Sequence, residues 1–192
     1  MKDKAVDTRL GRAIELFGGA SSDYHIHPRG GGIVAETAEV NNAVYIGENA
    51  VIAGHARIYG HARIYEYAEI YGHAEIYGHA KIYGHAKICG VTKVSDNAII
   101  FGNAIIYGNA RICENAVIAG HAEIYGHAKI CGVTKVSDNA KISGNARIYG
   151  HARIYEYAKI SHNVELSGGN ITSNRPTAIE LFRYRRDNSL TK

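Results

Sequence analysis

Three sets of side chains in this 192-residue sequence are of types that do chemistry. Asp23, His25 and His27 alternate in Asp23-Tyr24-His25-Ile26-His27, so an extended backbone would put a carboxylate and two imidazoles on one side, a donor set suited to zinc or a similar ion. The blander account is a polar-faced edge strand leading into the loose Pro28-Arg29-Gly30-Gly31-Gly32 link. Eight of the 11 histidines (His55, His61, His73, His79, His85, His121, His127 and His151) recur at multiples of six residues. Asn103, Asn109 and Asn145 occupy the same slot, and exchange of His with Asn points to selection by a left-handed backbone conformation, not by a metal. Among the cysteines, Cys89, Cys113 and Cys131, none has a phased His-Asp partnership of the kind that makes a nucleophile.

The element that must position these groups is a repeat. From Val40 through Ile46, Ile52, Ile58 and Ile64 to Leu166, an aliphatic residue falls on every sixth position without loss of phase. Two residues before each stands a small one, usually alanine (Ala50, Ala56, Ala62), with Thr92, Thr134, Val44 and Val164 as substitutes. Small-polar-aliphatic-outward is the alternation of a short half-buried strand, and the Gly-His or Gly-Asn pair after it is a corner. Corners that repeat without reversal wind the chain into a coil that stacks on the one before it in parallel, burying Ile and Ala along an axis.

This pattern resembles the hexapeptide-repeat proteins, and most of all the bacterial and phage proteins built of Gly-Asn/His-Ala-Arg-Val/Ile-Tyr runs. The resemblance implies a left-handed parallel β-helix with three hexads per coil, here about seven coils on the order of 35 Å long. It also implies a homotrimer, and two enzyme types to weigh. The γ-class carbonic anhydrases use a His-x4-His pair, which the six-residue spacing of these histidines does not supply. The acyltransferases use a histidine with loops inserted between coils, and no insertion interrupts Val40 to Leu166. Stacked pairs such as His55 with His73, or His61 with His79, remain candidates for holding an ion between coils.

Positions facing outward carry the remaining information, since hexads eighteen residues apart share a face. Tyr65, Tyr83 and Phe101 form an aromatic ladder of the kind that holds stacked strands together. Outward slots are normally Arg, Lys or Glu, but Ile99, Ile105 and Val117 break that rule. With Tyr83, Phe101, Tyr107 and Ala119 they define an expected oligomer interface, because a contiguous exposed apolar patch marks association. Farther on, Lys129, Lys135, Lys141, Arg147, Arg153 and Lys159 fill six successive slots with base, a solvated surface or a collar for a polyanion. Cys113 and Cys131 fall in adjacent coils at disulfide distance, although an odd cysteine count without an export signal argues for free thiols.

The repeat divides the chain into an N-terminal capping helix (1–19, helical from 4 to 17), a lead-in (20–37), an all-β solenoid (38–168) and a C-terminal cap or tail (169–192). In the tail, Thr177-x-x-Glu180 after Pro176 is a capping-box start, and the word Ala-Ile-Glu-Leu-Phe of residues 13–17 returns at 178–182. Net charge is +4, and no apolar run suits a membrane span or signal peptide, so a cytoplasmic protein without a membrane partner is expected. The expected function is a non-catalytic interaction scaffold without a cofactor. An acyltransferase-like enzyme with an inter-protomer site is the alternative, and a polyanion-binding module the more distant one.

Overall fold

The computed structural model describes residues 10–173. Within them the chain winds into a β-solenoid of three parallel sheets, each supplying eight strands to the stack. Consecutive strands belong to different sheets, and strands three apart in sequence are neighbours: Arg63–Ile64, Lys81–Ile82, Ile99–Ile100 and Val117–Ile118 lie side by side. Each pairing matches a core residue with the one eighteen later, as Ile64 with Ile82 and Ile82 with Ile100. Backbone bonds run from coil to coil through strands and corners alike. Arg63 N–H donates to Ala80 O (2.9 Å), Tyr65 N–H to Ile82 O (3.0 Å) and Tyr67 N–H to Gly84 O (2.9 Å).

The stack has about eight turns, not the seven expected from the six-residue phase. Ile33–Ala35 supplies a first strand ahead of the regular run, with Val34 opposite Ile52. Asn170–Ile171 supplies a last one, in which Ile171 stands opposite Ile154. That final coil is one residue short, because Ile171 follows Leu166 by five residues.

Ile46 through Ile154 have essentially no exposed surface, and the alanines two residues before them are equally dry. Each such isoleucine contributes roughly 1.5–3 kcal/mol by burial. Thr92 and Thr134, which replace alanine, are also fully buried, and their hydroxyls donate to Cys89 O and Cys131 O at 2.6 Å. A buried hydroxyl is tolerated there because its hydrogen bond is made locally.

From Gly54 to His162 each corner carries one residue with positive φ. It is the glycine before the His/Asn slot, as in Gly84 (φ 76°), and not the His/Asn itself. Where glycine is missing, the left-handed residue is Glu66, Asp96, Glu114, Asp138, Glu156 or His162. Three of these acids accept the amide N–H of the corner in the next coil: Glu66 from Gly84 (2.7 Å), Asp96 from Glu114 (3.1 Å) and Asp138 from Glu156 (3.0 Å). The left-handed preference of His and Asn therefore does not account for their slot.

Helix α1 (Leu10–Phe17) lies on the flank of the first sheet. Leu10 and Ala13 pack with Ile33, Ala35, Val51 and Ala53, and Phe17 tilts against Tyr71 (5.2 Å between centroids). Strand β1 (Tyr24–Ile26) closes the edge of that sheet by pairing antiparallel with β2 (Ile33–Ala35). The end-covering role expected of the helix is thus taken by β1, with α1 on the side. The expected helical residues before Leu10, and the C-terminal cap beyond Ser173, lie outside the described residues.

Candidate interaction surfaces

Every outward slot sits in a column whose members are one strand spacing apart, so the surface reads as three flat faces. On the second sheet the column runs Arg63, Lys81, Ile99, Val117, Lys135. Beside it the rings of Tyr65, Tyr83 and Phe101 stack nearly parallel at 5.0 Å centroid spacing, and Ala119 follows in the next coil. Ile99, Val117, Tyr83, Phe101 and Ala119 are each half-buried within the single chain and form one continuous patch.

Two residues expected in that patch belong elsewhere. Ile105 lies between Lys87 and Glu123 on the first sheet, and Tyr107 stacks on Tyr125 (4.9 Å) beside it. A step of six residues turns the corner, so Ile105 cannot share a face with Ile99.

The six basic slots divide two to a face. Lys135 stands next to Arg153, and Lys141 next to Lys159. On the third sheet Lys129 stands between Arg111 and Arg147, three cations in adjacent strands. Lys141 is neutralised by Glu123 (2.9 Å), and that hydrogen bond holds its ammonium above the usual lysine range. Upstream, the third-sheet column alternates in sign: Arg57 meets Glu39 (3.6 Å), and Lys93 meets Glu75 (2.6 Å).

The suggested metal ligands are separated. Asp23 ends a 3-10 turn (Ser21–Asp23), where its Oδ2 accepts the Ala20 amide (2.8 Å). His25 is exposed, with Nδ1 2.8 Å from Glu36 Oε1. His27 is buried beyond the end of β1, and its Nε2 has no hydrogen-bond partner. Burial is the main cause that lowers its pKa, with His25 adding to it. One side chain faces water and the other the interior, so the alternation does not gather the three onto one ion.

Corner histidines stack in pairs and do not converge. His55 lies over His73 and His61 over His79, both at 5.3 Å, and Tyr67 lies over His85 at 5.0 Å. Asparagines in the slot form short ladders, Asn145 Nδ2 donating to Asn163 Oδ1 (3.0 Å) and Asn97 to Asn115 (3.4 Å). Coil-to-coil stacking of planar groups is what His, Tyr and Asn share here.

Cys113 and Cys131 form a disulfide, with Cα atoms 4.7 Å apart, and Cys89 is free. The expectation of free thiols is corrected: the register puts the two sulfurs side by side in adjacent strands. Their sulfurs and the Glu114 carboxylate lie within 4.8 Å of one another, but sulfurs bonded to each other are not thiolate ligands. Tyr71, covered by the packing of Phe17, has its pKa raised to about 12 by burial, assisted by a hydrogen bond with Cys89.

A further feature was not legible as a motif. Glu69 is nearly dry and lies between two cations, Arg12 (3.0 Å) and Lys87 (2.9 Å). Arg12 also donates to the carbonyls of Asn49 and Tyr67 and lies over the Tyr67 ring (5.1 Å). Among the described residues no helix is long and apolar enough to cross a membrane.

Residues 140–156 match a family model described as the YdcK beta solenoid repeat, a stretch of about one coil. No curated protein matches the chain. Repeat match and coordinates agree on architecture: this is a β-solenoid repeat protein.

Proposed function

We propose that the chain is a non-catalytic scaffold that self-associates through the apolar patch of its second sheet. The observation that carries this reading is the column Lys81, Ile99, Val117, Lys135, in which two aliphatic side chains interrupt a charged row next to the stacked rings of Tyr83 and Phe101. At the N-terminal end of the first sheet, by contrast, the outward Val51 and Ala53 lie dry beneath α1, while Ile105 is exposed as a single aliphatic between Lys87 and Glu123. Apolar surface left open on one copy is stabilised by burial against another. Three copies are the number implied by the resemblance to hexapeptide-repeat proteins. The test is the mass in solution of the wild type and of Ile99→Lys with Val117→Glu. The wild type is expected to be a homo-oligomer and the double variant a single protomer. An unchanged mass overturns the reading.

A second reading has its own observation. Arg111, Lys129 and Arg147 stand in adjacent strands on the third sheet, a row that favours a partner with regularly spaced negative charge. A polyanion-binding face is compatible with association through the second sheet, since the two surfaces are different.

A further inference from the structure

The apolar patch has a twin whose occupant is visible. Residues 49–56 read Asn-Ala-Val-Ile-Ala-Gly-His-Ala, and residues 115–122 read the same. The strand before each begins alike, Ile33 pairing with Val51 and Ile99 with Val117. On the first surface lies α1, whose Ala13 is fully buried and whose Ile14 and Phe17 pack beside it. Its word Ala-Ile-Glu-Leu-Phe occurs a second time, at Ala178 to Phe182, beyond the described residues. The chain therefore carries two copies of the surface and two of the segment, with one pair seen docked.

We infer that the Thr177–Phe182 segment of one copy docks on the Ile99, Val117 and Ala119 surface of a second copy, as α1 docks on Ile33, Val51 and Ala53. This rests on the self-association proposed above and names what fills its interface.

Differences between the pairs are mutually consistent. Arg12 precedes the first word and binds Glu69, which stands one coil after Val51. Thr177 precedes the second word, and Lys135 stands one coil after Val117. An arginine facing Lys135 would be repelled, and a threonine is not. Phe17 meets Tyr71, whose counterpart is Ser137, but Phe101 in the place of Ala35 offers a ring two coils earlier.

Reach favours a second copy over the same one. Arg12 contacts Asn49 and Tyr67, the corner at which the first-sheet strands begin. The corresponding corner of the second sheet is at Asn115 and Val133. Ser173 stands at the opposite corner, its hydroxyl on Glu156 (2.9 Å) in the column of Asp138 and Gly120. Crossing the face takes five residue steps, about 16 Å, and climbing two strand spacings adds about 10 Å along the axis. Four residue steps from Ser173 to Thr177 span at most about 14 Å. A second copy has no such limit.

The test uses the full-length chain with Cys89→Ser. Ala178→Cys combined with Val117→Cys is oxidised and run without reductant, and Ile179→Asp is weighed in solution beside Ile99→Lys with Val117→Glu. Covalently linked copies, together with single-protomer mass for both Ile179→Asp and the double variant, are the expected results. A cross-link confined within one copy overturns docking between copies. An oligomer that persists in Ile179→Asp but dissociates in Ile99→Lys with Val117→Glu overturns this inference and leaves the self-association reading standing. A single-protomer wild type removes both.

Discussion

Arg12 reaches Glu69 across 57 residues of sequence and closes on its Oε1 at 3.0 Å, while Lys87 holds the other oxygen at 2.9 Å. The carboxylate is almost wholly buried, so the pair is screened far less than the other ion pairs on the faces. Hydrogen bonds to charged groups contribute about 1.5–3 kcal/mol, and Arg12→Ala removes one of them together with its carbonyl contacts. The expected outcome is early release of α1, read as faster amide exchange of Val51 and Ala53 with the coils beyond Ile100 unaffected. Unchanged exchange at Val51 would remove Arg12 from the role of clamp.

Corner geometry gives a second prediction. A Cβ on Gly84 would lie 2.7 Å from the carbonyl oxygen of Gly102, and its φ is 76°. Left-handed backbone costs a non-glycine residue about 1–2 kcal/mol before any clash is counted. Gly84→Ala should therefore lower the unfolding free energy by at least about 2 kcal/mol. Gly11→Ala is the control, because nothing lies within 4 Å of its added Cβ. Equal denaturation midpoints for the two variants would contradict the corner argument.

Legibility followed locality. Ile64 and Ile124 announce themselves because a dry core position repeats with the coil, and both are fully buried. Ile171 escaped because it follows Leu166 by five residues, a slip that a strict period of six does not see. The left-handed residue stands one place before the His/Asn slot, where Glu66, Asp96, Glu114, Asp138 and Glu156 mark it by replacing glycine with acid. Ile105 and Ile99 share a residue type but not a face, since six residues turn a corner and eighteen do not. Spacing made the Cys113–Cys131 pair visible, but spacing says nothing of oxidation. The Arg12–Glu69 contact has no periodic signature, because it joins a helix to a repeat.

His27 makes stability depend on pH. Burial lowers its pKa in the folded chain, so the unfolded chain binds more protons near and below the ordinary histidine value of about 6.5. Its stabilising contribution is present above that value and is lost as pH falls through the lowered folded pKa. The charged ring would be held in the interior with an Nε2 that has no hydrogen-bond partner. Thermal midpoints should fall between pH 7.5 and pH 5, and His27→Phe should flatten part of that slope. A slope identical in the variant would assign the acid sensitivity to other groups.

The disulfide joins strands that are already neighbours, enclosing a loop of 18 residues. A chain-entropy estimate for a loop of that size is about 3 kcal/mol. Reduction should destabilise the coils around Cys113 and Cys131 by an amount of that order, and Cys89→Ser should do nothing comparable. Denaturant midpoints with and without reductant test this, and equal midpoints would make the bond incidental to stability.

Sign alternation along the third sheet stops where function is proposed to begin. Glu39 with Arg57 and Glu75 with Lys93 form coil-to-coil pairs, after which Arg111, Lys129 and Arg147 succeed one another without an acid. Like charges directly opposite in adjacent strands oppose stacking, by roughly 0.2–1 kcal/mol per pair. Lys129→Glu puts an acid between Arg111 and Arg147 and should raise stability by up to about 1 kcal/mol, an increment that shrinks as salt is added. The same change should shorten retention on a sulfated polysaccharide column, because it removes the middle of three aligned cations. Higher stability with unaltered retention would make the row a structural accident and end the polyanion reading. Lower stability would show that the three cations do not repel one another as their register requires.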